Sequence, residues 1–558
     1  MGTKYAMGID FGTLSGRVLI VDIETGREAA SVTKDYSHGV MDTCLPDGAT
    51  RLGMDWALQH PGDYIEVLRE AIPQALADAH ISADDVVGVG IDATSCSVLP
   101  IDELGYPLCL REEHASNPHA YVKLWKHHAA QKEADAVNRI AAQRGESFPS
   151  YYGGKVSSES LIPKVWQVLN EAPDTYERAH RFIEVGDWIV MLLTGNEMRS
   201  SCMAGFKSLW NARTGHPGPE FFEALDPRLR DVAESKLSGT YHPIGARAGE
   251  VTARAAELTG LREGTAVSVA CIDAHAAMPG VGITRPGNML LIMGTSSCHI
   301  VLDFERRTIP GLCGLAQDGI IPGYFGYEAG QCCVGDHFEW FVNNCVPAHY
   351  QAEAMTRQIG VHQLLSEKAA ELRAGESGLL ALDWWNGNRS VLANADLTGM
   401  FIGCSLRTKP EELYRALIEA TAFGTRMIIE NYRNHGMRID EIHAAGGIPR
   451  KNPVVMQMYA DILNTKIRVS DSAQTSALGA AILGSVAAGQ AGGGYASIAD
   501  AAETMAKPGE KYYLPSRESV WVYDRLYAEY QRLHDYFGRE GNDVMARLKS
   551  IQAEFLSR

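Results

Sequence analysis

Two stretches of this chain repeat one pattern of apolar and polar positions. The first covers residues 7–23 (MGIDFGTLSGRVLIVDI) and the second residues 289–304 (MLLIMGTSSCHIVLDF). In each, two runs of Val, Ile, Leu and Met flank a Gly-Thr turn with small hydroxyl residues, which predicts a β-hairpin. The unbroken apolar run VVGVGIDAT from Val86 predicts a buried strand. Residues 120–144 read as a charged amphipathic helix, and FIEVGDWIVMLLTG from Phe182 as an apolar helix stopped at Gly195. VSVACIDAHAAM from Val267 reads as a strand running into a loop. The glycine- and proline-dense residues 279–288 read as a linker.

The second half continues with a strand at residues 442–445, then Gly446-Gly447, then a helix with Asn452 as N-cap and Pro453 in first position. Val455, Met458, Tyr459 and Ile462 fall at i, i+3, i+4 and i+7, so one face of that helix is buried. ALGAAILGSVAAG from Ala477 predicts a buried helix, and the glycine-rich residues 488–497 a turn. The tail carries an aromatic and aliphatic stripe at Tyr523, Leu526, Tyr530, Leu533 and Phe537, continued by Val544, Leu548, Ile551 and Phe555. A stripe at that spacing predicts helices that dock on the body or on a second subunit.

A hairpin tip of Gly, Thr and Ser leaves backbone N–H groups bare, and its hydroxyls add donors. Gly12 and Thr13 form one such tip; Gly294, Thr295 and Ser296 form the other. Either alone is an ordinary hairpin, but the pair suggests two related halves gripping a polyphosphate. Gly446 and Gly447 admit a flat ligand such as a purine against bare backbone. Close helix–strand packing alone would account for them equally well.

The DFGT hairpin, the GTSS hairpin and the AGG-x-x-x-x-NP strand–helix, in that order, resemble the FGGY carbohydrate kinases, which belong with actin and the heat-shock chaperone ATPases. The resemblance runs from Tyr5 to about Gly489. Local strings (GVGIDATSCSVLPID, NPHAYVKLWKHHAA, SCMAGFKSLW, IPGYFGYEAGQCCVGDHFEWF, DWWNGNRS, EATAFGTRMIIE) resemble the branch that phosphorylates L-ribulose. The fold this implies is α/β: two actin-like, ribonuclease-H-like domains with a cleft between them. The domains expected are 1–280, 281–494 and a helical tail, 495–558.

The resemblance also implies roles. Asp273, at an apolar strand end beside the linker, would be the general base; a helix cap is the bland alternative. Asp10 would hold Mg²⁺ through water, since magnesium takes few carboxylates and keeps several waters. Thr13 and Thr295 would bond the phosphates of ATP, and Gly446 and Gly447 would flank adenine with Asn452 nearby. Ser95, Lys207, Asp273 and Glu328 would bind the sugar, with Asp92 and Asp187 in reserve. The position after Thr94 varies within the branch, so Ser95 could contribute only its backbone. His275 reads as structural.

Composition narrows the classes. The chain is 46% apolar and 21% charged, as in water-soluble globular proteins, with a formal net charge of −17. That charge argues against nucleic acid and anionic membranes as partners. Lys207, Arg389 and Arg407 are the candidate local cations for a phosphorylated substrate. Eleven cysteines without a Cys-x-x-Cys pair are neither a zinc pattern nor a disulfide framework, and they fit a reducing cytoplasm. No leader pattern precedes the first expected strand, and no apolar run approaches the roughly 20 residues of a membrane span. A homodimer is expected.

Two look-alikes fall away. Asp10-Phe11-Gly12 matches a protein-kinase tripeptide, but the chain has no H-R-D loop and only nine residues precede Asp10. A P-loop fails because Pro149 stands where the first glycine should be, ahead of Gly154-Lys155. The expected activity is transfer of the ATP γ-phosphoryl group to the 5-hydroxyl of L-ribulose, in L-arabinose breakdown. The alternatives are another pentulose or pentitol as acceptor, a chaperone- or actin-like ATPase, and a non-catalytic sugar sensor.

Overall fold

The computed structural model describes residues 3–556. It is built on two seven-stranded sheets of the same design. In the first, strand Tyr5–Phe11 pairs antiparallel with Ser15–Asp22, and that with Glu28–Asp35. On its other side Tyr5–Phe11 pairs parallel with Val86–Ala93, which pairs in turn with Ala266–Ser268 and Cys271–Ile272. In the second sheet Gly287–Met293 pairs antiparallel with Ser297–Asp303, and that with Phe325–Gln331. On its other side it pairs parallel with Ile439–Ala445, followed by Ile467–Val469. The repeated hairpin pattern is thus the leading edge of a repeated sheet.

The helix Thr475–Ala488 comes from the second half of the chain but lies on the first sheet. Its Ala477, Leu478 and Ile482 share a core with Met7, Ile9 and Val89. The approach is so close that a Cβ on Gly90 would stand 1.8 Å from the Ala480 carbonyl oxygen. Glycine in the strand is therefore a steric requirement. Leu290, Ile300 and Ala445 of the second sheet join the same core. A second core fills the other face of that sheet, and a third fills the insertion around Leu161, Val165 and Phe222.

Four expected elements differ. The helix expected over 120–144 spans Gln131–Arg144; Val122–Lys123 is a strand, because its apolar run pairs with Leu58–Gln59 and with Val98. The segment from Phe182 is a strand, Arg181–Glu184, which pairs along Val98–Ile101 before helix Val185–Thr194 begins and ends at Gly195. The loop expected after Ile272 is a helix, Asp273–Gly280. The linker region loses Pro279 and Gly280 to that helix, and Gly287 and Asn288 to the next strand.

The tail docks on the body. In helix Arg517–Gly538, Tyr523, Tyr527 and Tyr530 are buried, with Tyr530 donating to Asp383 at 2.8 Å and Tyr523 to Glu419 at 2.9 Å. Leu548, Ile551 and Phe555 of the last helix remain exposed. Among the described residues no helix is long and apolar enough to cross a membrane.

Candidate active site

The site lies where both sheets present the C-terminal ends of their parallel strands. Asp10 and Asp92 are register partners on adjacent strands, and Cys271 is the partner of Asp92. Asp273, two residues on, opens the helix that follows. Three carboxyl groups therefore gather at one sheet end. Asp92 is fully buried and neither of its oxygens has a hydrogen-bond partner. Burial, then the neighbouring Asp10 and Asp273, push its carboxyl well above the usual range. Asp10 is paired with Arg17 at 2.9 Å. Asp273 is half-buried; burial and the charge of Asp10 lift it to about 7, against a 2.7 Å bond from the Ala274 N–H. Its side chain caps nothing beyond that neighbour, so the carboxylate keeps its acceptor capacity. Carboxylate oxygens gathered in this way, two of them unpartnered, are a donor set that suits a hard divalent cation.

The hairpin tips follow the same construction. The Gly12 N–H closes its turn on Ser15 O at 3.0 Å, and the Gly294 N–H on Ser296 O at 2.9 Å. The Thr13 hydroxyl accepts from Trp125 Nε1 at 3.1 Å, which leaves its own proton to donate. Thr295 is exposed, and its carbonyl is braced by the Val334 N–H at 2.8 Å. Ser296 stands half-buried beside it.

Ile292 and Ala445 are parallel partners, so Gly294 and Gly446 leave neighbouring strand ends. Gly446 has φ +104°, and a Cβ there would stand 2.3 Å from Met293 O. Close packing thus explains the first glycine. At Gly447 a Cβ would meet no atom within 4 Å, so open space remains against bare backbone. Asn452 is an N-cap: its Oδ1 accepts from the Val455 N–H at 3.1 Å and its Nδ2 donates to Ser366 at 2.8 Å. Both ends of that side chain are spent within the protein.

The sugar-site candidates meet across the two halves. Lys207 ends helix Ser201–Lys207, which Ser200 caps through the Met203 N–H; the Ser200 N–H is in turn anchored by Asp187 at 3.0 Å. Its Nζ lies 3.4 Å from Glu159, and Arg389 of the second half reaches Glu159 at 3.1 Å. Burial alone would raise the Glu159 carboxyl, but Arg389 and Lys207 hold it down to about 2. Arg389 also sits over the Trp125 ring, the residue that bonds Thr13. Glu328, on strand Phe325–Gln331, is buried and bonded to His275 at 2.9 Å. The hydroxyl of half-buried Ser95 contacts the Cys96 thiol at 3.3 Å. Sequence reasoning missed Arg17 and Glu159. Arg17 was legible as the cross-strand neighbour of Asp10 in the expected hairpin. Glu159, in the string SSES, carries no local signal.

The chain matches the FGGY family of carbohydrate kinases, N-terminal domain, over residues 5–280, and the C-terminal domain of that family over residues 289–488. It is 54% identical to a ribulokinase of Geobacillus thermodenitrificans over 549 residues, 98% of this chain and 97% of that one. It is 45% identical to a ribulokinase of Mycolicibacterium smegmatis over 551 residues, 99% and 97% of the two chains. Among solved structures, a xylulose kinase from Rhodospirillum rubrum superposes with a TM-score of 0.77 at 23% identity, over 96% of this chain and 99% of the other. Plasmodium falciparum glycerol kinase with ADP gives 0.73 at 16% identity, over 96% and 98%. These two likenesses establish the fold.

Proposed function

The chain belongs to the FGGY family of carbohydrate kinases, and from that premise we propose that it transfers the γ-phosphoryl group of ATP to the 5-hydroxyl of L-ribulose. The observation that carries the choice of sugar is the likeness, 54% identical over nearly the whole of both chains, to a protein named ribulokinase. The mechanism is supported by Asp273 belonging to the carboxyl cluster with Asp10 and Asp92 while also lying within electrostatic reach of Glu328. A carboxyl lifted to about 7 is matched to its task, since a general base works best near the operating pH.

In this reading Asp273 takes the proton of the sugar hydroxyl as it attacks the γ-phosphorus. The tips at Gly12-Thr13 and Gly294-Thr295-Ser296 hold the phosphate oxygens, and Gly446-Gly447 lie against adenine. Lys207, Glu328 and Ser95 read the sugar. Asp10, with Asp92 beside it, would hold Mg²⁺, which when bound supplies counter-charge to the phosphate oxygens. Asn452 serves the nucleotide only by fixing the start of helix Pro453–Leu463. A reducing compartment is part of the proposal, supported by the cysteines all being free thiols.

The test is ADP release against a panel of C3 to C6 sugars and polyols. L-Ribulose should give the highest kcat/KM, with other pentuloses and pentitols weaker. Glycerol should be poor because it leaves buried polar groups unpaired, a defect costing up to about 10⁴-fold in a fully built site. A preference for glycerol, D-xylulose or a hexose would overturn the choice of sugar. Absence of sugar-stimulated ADP release would overturn the kinase reading.

A further inference from the structure

Behind the sugar-site candidates runs a buried line of three polar side chains. Cys202 Sγ lies 3.2 Å from His275 Nδ1, and His275 Nε2 lies 2.9 Å from Glu328 Oε2. Cys202 and His275 are wholly inaccessible, and a second thiol, Cys271, stands 3.9 Å from Cys202. The three come from three elements: helix Ser201–Lys207, helix Asp273–Gly280 and strand Phe325–Gln331. The first two belong to the first half and the strand to the second. We propose that this line fixes the Glu328 carboxylate for the sugar, so that His275 is a positioning residue that sets sugar affinity without touching the sugar. The proposal rests on the reading above that Glu328 binds sugar.

A buried imidazole has two ring nitrogens to satisfy. A neutral ring has one N–H and one bare nitrogen, whereas an imidazolium donates from both. Here Nε2 faces a carboxylate, which can only accept, so Nε2 carries an N–H, while Nδ1 faces a thiol able to donate or accept. Burial opposes charge on the ring, but Cys202 and Glu328 act the other way on His275, while Cys271 and then His275 lower the Cys202 thiol against its burial. With its proton on Nε2 the ring donates to Glu328 along a fixed direction, because the Phe206 ring packs against the imidazole at 4.2 Å between centroids. One Glu328 oxygen is thereby spent in a set orientation and the other is left to accept from a ligand hydroxyl.

The charge balance favours the same conclusion. Burial alone would push the Glu328 carboxyl up. His275, Lys207 and Arg389 hold it below its ordinary value. The other titratable groups facing it are Asp273 and the Cys298, Cys313 and Tyr432 side chains, none of which supplies a positive charge. Lys207 and Arg389 are already engaged with Glu159. His275 is the side chain hydrogen-bonded to Glu328, at 2.9 Å. Its helix carries Asp273 two residues earlier, so the same element aims the base at the hydroxyl and the acceptor at the sugar.

The experiment is a double-mutant cycle on the full-length enzyme with His275→Gln and Glu328→Gln, reading KM for L-ribulose, KM for ATP and kcat. His275→Gln should raise the sugar KM about tenfold or more and leave the ATP KM within about twofold, a split that a general loosening of the fold would not give. Combined with Glu328→Gln it should add little, because the two side chains act as one unit. Cys202→Ala is the second variant: it should move the sugar KM in the same sense by a smaller factor, and it decides the matter if His275→Gln does not fold. An unchanged sugar KM in both variants overturns the proposal. So does a parallel rise of sugar and ATP KM, or an effect that multiplies independently with Glu328→Gln. If Glu328→Gln itself leaves the sugar KM unchanged, the underlying reading of Glu328 falls, and this proposal with it.

Discussion

Replacing Asp273 by Asn should move catalysis and stability in opposite directions. The carboxyl sits at about 7 in the folded protein against an ordinary 3.8, because burial and Asp10 disfavour its charge. Between those two values the folded state binds the proton and the unfolded state has lost it. Stability from this group therefore falls as pH rises from about 4 to 7, and stays lost above. The full shift corresponds to about 4 kcal/mol. Asp273 is only half-buried, and solvent screening brings the expected cost to about 1–2 kcal/mol. Asn removes that cost, so at pH 8 the variant should melt about 1–2 °C higher for a protein of this size, with the gap closing by pH 4. Turnover should fall by about 10²–10⁴, with ATP binding nearly intact. In the parent, kcat/KM should rise with pH through about 7. The assays are coupled ADP release from pH 5 to 9 and calorimetric melting at the two pH extremes. An Asn variant within tenfold of parental turnover, or a parent profile flat across that range, would refute the assignment of the base.

Thr13→Val and Thr295→Val should each raise the ATP KM or lower kcat more than they change the sugar KM, and steady-state kinetics with both substrates varied would expose the reverse. Lys207→Ala should raise the sugar KM well above any change for ATP, and it leaves Glu159 paired only with Arg389. Glu159→Ala strands the buried Lys207 and the half-buried Arg389 and should cost about 3 kcal/mol in denaturant unfolding; unaltered stability would mean the bridge carries no weight. Gly90→Ala drives a methyl into the Ala480 carbonyl and should cost several kcal/mol or prevent folding, whereas Gly447→Ala, with open space around it, should fold normally and weaken ATP.

What was legible in the residues divides by the range of the interactions. Hairpin tips, Asn452 with Pro453, and the helix over Thr475–Ala488 are local patterns, and the structure places each where its residues predict. Residues 122–123 and 182–184 misled because a short apolar run serves a buried strand or a helix equally well; distant pairing partners decided for strand. Asn452, taken as a neighbour of adenine, is consumed by its cap and by Ser366. Around the proposed sugar site, Glu159 and Cys202 escaped sequence reading, because the groups they meet come from distant segments and neither carries a signal in its own neighbourhood.

By itself the sequence determined the repeated sheet edge, the two Gly-Thr tips and the strand-end aspartates proposed for the site, since these depend on periodicity and turn chemistry within a few residues. Only the tertiary structure decided which of these groups carry charge. The ionisation of Asp273, Glu159, His275 and Glu328 depends on burial and on partners up to 230 residues away along the chain. Electrostatic energy at a buried site depends on distance in space and on the exclusion of water, and chain order encodes neither until the sheets have closed over it.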